Sequence, residues 1–277
     1  MAVATPHTPS LFLDCNMESG ELCALWEGSA AVFSRRSPDK QTANEDAAAL
    51  IPFDGQSGIL VVADGLGGSR AGEQASSLAL SSLQDAMAEA AANGADLRSA
   101  ILNGIETANR KIVELGIGAG TTLALVEIQG RTARPYHVGD SMILVVGQRG
   151  RIKWQTVSHS PVGYAVESGF LDAAEAMHHD ERHIVSNMLG MADMRIEIGS
   201  TIELADRDTL LLSSDGLFDN LHVDEIVERV RKGPLDHVAR DLATTCRERM
   251  QTPRDGQPSK PDDLTFIAYR LGGAGRS

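Results

Sequence analysis

Acidic residues that can bind metal ions recur along the chain, beside glycine or at the predicted ends of strands. They are Glu45, Asp46, Asp64, Asp140, Asp215, Asp219, Asp262 and Asp263. Hard divalent ions such as Mg²⁺ and Mn²⁺ prefer carboxylate, carbonyl and water oxygens. Two such ions about 3.5–4 Å apart polarise a phosphoryl oxygen and lower the pKa of a bridging water. The set therefore favours metal-assisted phosphoryl chemistry.

Asp64 is the best candidate to bridge two ions. It follows an apolar, β-branched run at 58–63 that predicts a buried strand. Gly65, Gly67 and Gly68 come next, and glycine lets the backbone turn sharply and approach a ligand closely. The turn also exposes the Gly65 carbonyl as a further oxygen ligand. Taken alone, the same pattern is also typical of a turn with a capping aspartate.

The other acidic residues have local interpretations as well. Asp215 and Asp219 lie four apart after a predicted strand and can cap a helix. Asp140 can be an ordinary turn residue, the 45–46 pair can be solvated, and the 262–263 pair can end a loop. Metal binding is favoured because all of these residues lie at strand edges of the same chain.

Hydrophobic periodicity predicts the elements that position these residues. Strands are predicted within 21–34, at 47–53 and 58–63, about four in an antiparallel meander at 121–156, and at 194–198, 209–213 and 264–271; helices are predicted at 71–92, 97–115, 223–231 and 235–250. Strands and helices come in blocks rather than in alternation. That order favours antiparallel sheets flanked by helices, an α+β fold.

Composition limits the class of protein. A chain of 277 residues with 42% hydrophobic residues can bury a core, and a net charge of −13 argues against nucleic-acid binding. The three cysteines are scattered and form no disulfide framework, which fits a reducing compartment. No stretch is long and apolar enough to cross a bilayer, and the first 14 residues do not resemble a signal peptide. We expect a soluble cytoplasmic protein with no membrane or nucleic-acid partner.

In domain terms, we expect a loose lead-in at 1–20, one domain at 21–271 and a tail at 272–277. A polar stretch at 158–190 has the character of a lid or flap inserted into the domain, with a short helix at 173–177. It contains His159, His178, His179 and His183, whose spacing matches no zinc motif. We interpret them as polar flap residues.

In its acidic motifs the chain resembles the type 2C metal-dependent protein phosphatases in their bacterial stand-alone form. The resemblance runs from Asn44 to Tyr269. It rests on Asn-Glu-Asp at 44–46, Asp-Gly-Leu-Gly-Gly at 64–68, Gly-Thr-Thr at 120–122, Gly-Asp-Ser at 139–141, Ser-Asp-Gly-Leu-Phe-Asp at 214–219 and Asp-Asp-Leu-Thr at 262–265. The ordered set is specific, although each member alone is not.

The resemblance implies a central β-sandwich of two mainly antiparallel sheets with helices on both sides, a four-layer αββα arrangement. It implies hydrolysis of phosphoserine and phosphothreonine in proteins by a water bound to two or three Mn²⁺ or Mg²⁺ ions. It also implies a role for each acidic residue. Asp64 would bridge two ions; Glu45 and the Gly65 carbonyl would hold one of them, with Asp46 acting through water. Asp215 and Asp262 would hold the other ion, and Asp140 and Asp219 would belong to a weaker third site.

Three positions depart from the family pattern. Gln41 occupies the place of an arginine that clamps the substrate phosphate, and Lys40 or Arg36 is the candidate replacement. An ammonium lacks the bidentate geometry of a guanidinium, so weaker phosphate binding is expected from Lys40. Leu66 occupies the place of a histidine that acts as general acid in some members. Asp263 stands where asparagine is usual.

The leading hypothesis is a monomeric serine/threonine phosphatase that acts on phosphorylated proteins and reverses a bacterial serine/threonine kinase. One alternative is the same chemistry dedicated to a single regulatory partner. Another is a pseudophosphatase that binds phosphoproteins without turnover, which the change at Gln41 favours. The full carboxylate set argues against the last, because so many neighbouring acids repel one another without metal.

Overall fold

The chain folds into two antiparallel β-sheets with helices outside each. The computed structural model describes residues 8–67, 70–177 and 179–272. The strands are β1 (Ser10–Leu13), β2 (Glu21–Leu25), β3 (Gly28–Arg35), β4 (Asp46–Pro52), β5 (Ser57–Leu66), β6 (Gly120–Thr121), β7 (Leu123–Gln129), β8 (Thr132–Val138), β9 (Met142–Val146), β10 (Ile152–Gln155), β11 (Glu197–Ile198), β12 (Ile202–Glu203), β13 (Thr209–Ser213) and β14 (Leu264–Leu271). The helices are α1 (Arg70–Asn93), α2 (Leu97–Leu115), α3 (Pro161–Glu167), α4 (Ala173–Ala176), α5 (Asp215–Phe218), α6 (Val223–Val230) and α7 (Leu235–Gln251).

The first sheet has the order β1-β4-β5-β7-β8-β11, with β12 also paired to β8 and β6 to β5; the second has the order β10-β9-β13-β14-β3-β2. Every strand pair is antiparallel. None of the helices within the described ranges has the length and apolarity that crossing a bilayer requires.

Alternating side chains divide the interior into three apolar layers. Along β5, Leu60 and Val62 face the second sheet, while Val61 and Ala63 face α1 and α2, because successive residues of a strand point to opposite faces. A third layer packs α6 and α7 against the outer face of the second sheet. The predicted four-layer αββα arrangement and α+β class are therefore confirmed.

Capping residues and the apolar stripe of α2 explain where the helices begin and end. In α2 the apolar stripe is buried, Asp96 caps the first turn by accepting from the Ser99 N–H at 3.0 Å, and Gly116 ends the helix at φ 65°. A left-handed residue at this position favours glycine. The predicted flap helix is present as α4, but α3 was not predicted. Ser160 caps α3, with Pro161 in its first turn.

Two expectations about strands were wrong. Residues 10–13, expected to belong to a loose lead-in, form β1 and pair with β4; residues 1–7 and 273–277 lie outside the described residues. The expected single meander at 121–156 is two hairpins in different sheets, β7-β8 and β9-β10. The chain crosses from one sheet to the other at 139–141, and short-range spacing cannot distinguish such a crossover from a hairpin turn.

We expect Phe12→Ala to lower the free energy of unfolding by about 3–5 kcal/mol, because the ring packs between the sheets and is 7% exposed. Its neighbour Leu13 is 38% exposed, and Leu13→Ala should cost about 0.5 kcal/mol. Chemical denaturation of both variants makes the comparison. Equal and negligible losses would mean that this segment does not belong to the folded sheet.

Candidate metal centre

Strands β4 and β5 form the first half of the acidic site. Asp46 lies directly opposite Asp64 in the pairing of these strands, which brings Cβ atoms to about 4.5–5.5 Å. Glu45 immediately precedes β4, and its carbonyl accepts from the Gly65 N–H at 3.2 Å. The Asp64 N–H donates to Thr122 Oγ1 at 3.1 Å, and the Thr122 N–H donates back to the Asp64 carbonyl at 2.9 Å. The backbone on both sides of the carboxylates is thus fixed.

Helix α1 closes this half of the site through a glycine. A Cβ built on Gly72 would lie 2.4 Å from Glu45 Oε1 and 2.7 Å from the Gly65 carbonyl oxygen. Ser76, one turn further along α1, donates its hydroxyl to the Glu45 carbonyl at 2.7 Å. The missing side chain at Gly72 therefore leaves the room in which the Glu45 carboxylate and the Gly65 carbonyl lie.

The second sheet supplies the other half. Ser214 follows β13 and donates its hydroxyl to Asp46 Oδ2 at 2.7 Å, which joins the ends of the two sheets. Asp215 begins α5, and Asp219 ends it. Asp262 lies before β14. These elements place their carboxylates at the same end of the sandwich as Asp46.

Lys260 lies among these carboxylates. Its Nζ is 2.6 Å from Asp215 Oδ2, 2.7 Å from Asp219 Oδ2 and 3.1 Å from Asp262 Oδ2. Burial alone lowers the pKa of the Lys260 ammonium, but the three carboxylates outweigh burial and the pKa is raised overall. Lys260 is therefore a cation throughout the physiological pH range.

Asp263 organises the loop before β4. Its Oδ1 accepts from the Ser37 N–H at 2.7 Å, and its Oδ2 accepts from the Glu45 N–H at 2.7 Å and from Lys40 Nζ at 2.5 Å. Lys40 Nζ also lies 2.6 Å from Glu45 Oε2. The aspartate that replaces the family's asparagine thus has a lysine beside it, and both groups fix the position of Glu45.

Burial dominates the protonation of the cluster. Burial first, and then repulsion by Asp215, raises the pKa of Asp140 and of Asp262 to about 7. The pKa values of Asp46 and Asp64 lie well above the ordinary range, again because of burial first and of neighbouring carboxylates second. Ionised carboxylates in this setting require compensating positive charge.

Two buried oxygens test whether these residues suit a metal ion. Glu45 Oε1 and Asp46 Oδ1 are buried and have no hydrogen-bond partner among the described residues. Buried polar atoms without partners are uncommon and costly. Both belong to carboxylates, the donors that Mg²⁺ and Mn²⁺ prefer, so the donor set fits such an ion.

A pocket of about 840 Å³ borders the second half of the site. Asp140, Asp215 and Asp219 line one side of it, and residues of the flap, including Val162 and Arg182, line another. The carboxylates of Asp140, Asp215 and Asp219 can therefore be reached from this pocket.

The candidate phosphate-binding residues differ in their availability. Lys40 is held by two carboxylates, and Gln41 is exposed. Arg36 is half-buried and lines a small pocket of about 60 Å³ together with Asp262. Its guanidinium has no hydrogen bond or ion pair with the part of the chain that the structure describes.

The flap histidines do not form one cluster. His179 and His183 are exposed, and His178 lies outside the described residues. His159 is buried, and its ligand atom lies within 4.8 Å of those of His137 and Glu197. However, His159 Nδ1 receives the Gly139 N–H at 3.0 Å, so Nε2 carries the hydrogen that it donates to Glu197 Oε2 at 2.9 Å. With both ring nitrogens occupied, His159 anchors the flap to the turn that carries Asp140.

Comparison with known proteins identifies the family. Residues 35–252 match the family model described as Protein phosphatase 2C. The chain belongs to the protein phosphatase 2C family.

Relatives within this family are bacterial phosphatases. The chain is 34% identical over 175 residues to protein phosphatase PhpP of Streptococcus pneumoniae, covering 61% of this chain and 70% of that one. The serine/threonine phosphatase of S. agalactiae superimposes with a TM-score of 0.75 at 30% identity, covering 87% of this chain and 98% of that one. The phosphatase PstP, whose structure contains two manganese ions, superimposes with a TM-score of 0.68 at 23% identity over 87% of this chain and 97% of its own.

The structure brings most of the predicted site residues to one end of the sandwich. Asp46 and Asp64 are cross-strand neighbours, and Glu45 and Gly65 are joined by a hydrogen bond. Asp215, Asp219 and Asp262 all contact Lys260. Asp140 lines the large pocket together with Asp215 and Asp219. Gly68, part of the predicted glycine turn, lies outside the described residues. In this protein phosphatase 2C, Lys40 lies inside the acidic site and Arg36 lies beside it.

Sequence reasoning missed Lys260 and Gly72. Lys260 lies two residues before Asp262, and this short spacing is a weak signal that a cation accompanies the acidic pair. Gly72 lies inside a predicted helix, where glycine is unfavourable by about 1 kcal/mol relative to alanine. A glycine at such an unfavourable position indicates that another group lies too close for a side chain.

Gly72→Ala should weaken Mn²⁺ binding by about 10–100-fold, the loss typical when the support of a metal ligand is disturbed. The added methyl would push against Glu45 Oε1 and the Gly65 carbonyl. Gly55→Ala is the matched control, because nothing lies within 4 Å of a Cβ there. Calorimetric titration with Mn²⁺ compares the two. Unchanged affinity in Gly72→Ala would remove Glu45 and Gly65 from the metal centre.

Proposed function

We propose that this chain hydrolyses phosphoserine and phosphothreonine in proteins with two or more Mn²⁺ or Mg²⁺ ions. The observation that carries the proposal is the pair of unpartnered buried carboxylate oxygens, on Glu45 and Asp46, beside Asp64. They lie at the end of the sandwich in a chain of the protein phosphatase 2C family. When bound, such ions lower the pKa of a water molecule and polarise the phosphoryl group.

The proposed roles follow the geometry of the two half-sites. Asp64, near the end of β5, would be the carboxylate shared by the two ions. Glu45 and the Gly65 carbonyl would hold one ion, with Asp46 acting through a water. Asp215 and Asp262 would hold the second ion, and Asp140 and Asp219 would be additional ligands of the same half-site. Leu66 offers no proton, so water or another group would protonate the leaving alkoxide.

Arg36 is the better candidate for the phosphate clamp. Lys40 forms ion pairs with Glu45 and Asp263. If it bound the substrate phosphate instead, both carboxylates would lose their cation. Arg36 has no hydrogen bond or ion pair with the described residues and lines the same small pocket as Asp262. A guanidinium also matches a phosphate with two parallel hydrogen bonds, which an ammonium does not.

The partners follow from the chemistry. Phosphorylated proteins are the substrates of protein phosphatases, and we propose a bacterial serine/threonine kinase as the opposing enzyme. We further propose a cytoplasmic monomer. The free thiols of Cys15, Cys23 and Cys246 support a reducing compartment.

The decisive experiment measures phosphate release from a phosphothreonine peptide and from p-nitrophenyl phosphate, with Mn²⁺, with Mg²⁺ and with EDTA. Turnover should require metal and fall by about 100- to 1,000-fold in Asp64→Asn, as is typical when a charge-stabilising group is removed. Asp85→Asn, an exposed position on α1, is the control and should retain activity. Metal binding without turnover of either substrate would contradict the proposal and favour a phosphoprotein-binding role.

The same assay tests the phosphate clamp. Arg36→Ala should raise KM by about tenfold or more with little change in kcat, because the lost contact is made equally in the ground state and the transition state. Arg36→Lys should recover part of the loss. An unchanged KM for both variants would remove Arg36 from substrate binding.

A further inference from the structure

Lys260 is built into the acidic site rather than resting on its surface. Its backbone N–H donates to Asn220 Oδ1 at 2.9 Å, and its carbonyl accepts from Asn220 Nδ2 at 2.8 Å. Asn220 is fully buried and also donates to the Gly216 carbonyl within α5 at 2.9 Å. The backbone of Lys260 is therefore fixed to the same helix that carries Asp215 and Asp219.

This arrangement directs the ammonium to three carboxylates at once. The contacts of Nζ with Asp215, Asp219 and Asp262 range from 2.6 to 3.1 Å, and the lysine side chain is 23% exposed. The contact with Asp215 is a hydrogen bond, and those with Asp219 and Asp262 are ion pairs. Surface lysines rarely have such a geometry, because an exposed ion pair contributes little and leaves the side chain mobile.

We propose that Lys260 is a resident cation that competes with divalent metal for the carboxylates of Asp215, Asp219 and Asp262. The inference rests on the proposed metal-dependent function and adds a property of this chain's own. Three carboxylates with one ammonium retain two negative charges, which one divalent ion balances. A further ion at this half-site has to displace Lys260 from Asp219, so its binding is weak.

The opposite half-site has a different arrangement. Lys40 contacts Glu45 through Oε2, while Glu45 Oε1 stays without a partner. The second partner of Lys40 is Asp263, which is not a proposed metal ligand. At the other half-site, Lys260 contacts three proposed ligands at once. We therefore assign the competition to Lys260 and not to Lys40.

The test is calorimetric titration of Mn²⁺ into metal-free protein, which reads binding without turnover. In Lys260→Met, the dissociation constant of the most weakly bound ion should fall by about tenfold or more. The substitution removes a positive charge that repels the metal ion, and a unit charge at this distance changes affinity by about that factor. Lys260→Arg should bind like the parent protein. Lys153→Met is the matched control, since Lys153 pairs with the buried Asp208 away from the site.

The tighter binding expected in Lys260→Met should depend on Asp219, one of the carboxylates that the lysine contacts. In Lys260→Met combined with Asp219→Asn, the tightened binding should return to the parent value. In Lys260→Met, a fall in the dissociation constant of about threefold or more supports the proposal, and a smaller fall or a rise overturns it.

A measurement on the unmutated chain does not depend on how the variants fold. Reductive methylation followed by mass spectrometry reports which amines are accessible. Lys260 should be protected in metal-free protein and become reactive when Mn²⁺ saturates the site, whereas Lys153 should not change. Protection that is independent of Mn²⁺ overturns the proposal. Because both readouts are binding readouts, a failure of phosphatase turnover in the parent protein would be seen separately.

Discussion

Mutual repulsion among carboxylates is the constraint on which this site depends. Within the first sheet, β4 and β5 place Asp46 directly opposite Asp64. The second sheet and α5 place Asp215 and Asp262 at the same end. Like charges directly opposite each other in a sheet are destabilising, and burial adds to the cost. The fold tolerates the arrangement because cations balance it. Lys40 and Lys260 supply part of this positive charge, and the proposed divalent ions would supply the rest.

The four-layer architecture makes this accumulation of charge possible. Apolar layers on both faces of each sheet fix the strands, so that strand ends can carry groups which are individually unfavourable. The hydrogen bond from Ser214 to Asp46 then joins the two sheets at the site. Asp263 ties the loop before β4 to the start of β14. Asp46 and Asp64 on paired strands and Asp215 on α5 are therefore held by rigid elements, which the proposed metal binding requires.

Some features of the fold and of the site could be predicted from the sequence and others could not, for physical reasons. Asp64 was predictable because an apolar strand followed by glycines is a local pattern, and α2 because its periodicity is regular over the whole helix. The four layers were implied by the resemblance that the ordered motifs carry, and the proposed ligand roles rest on the same motifs. β1 was missed because four residues between polar neighbours carry no period. The role of Lys260 was missed because its partner Asp215 is 45 residues away in the chain. Gly72 could be understood only once α1 lay against Glu45.

The central claim is that the acidic cluster holds divalent ions around Asp64, and anomalous diffraction from Mn²⁺-soaked crystals tests it most directly. The account predicts two peaks about 3.5–4 Å apart, both within coordination distance of the Asp64 carboxylate, with Glu45 next to one and Asp262 next to the other. The same data from Asp64→Asn crystals should lose at least one peak. Peaks only at His137, His159 and Glu197, or no peak near Asp64, would contradict the account.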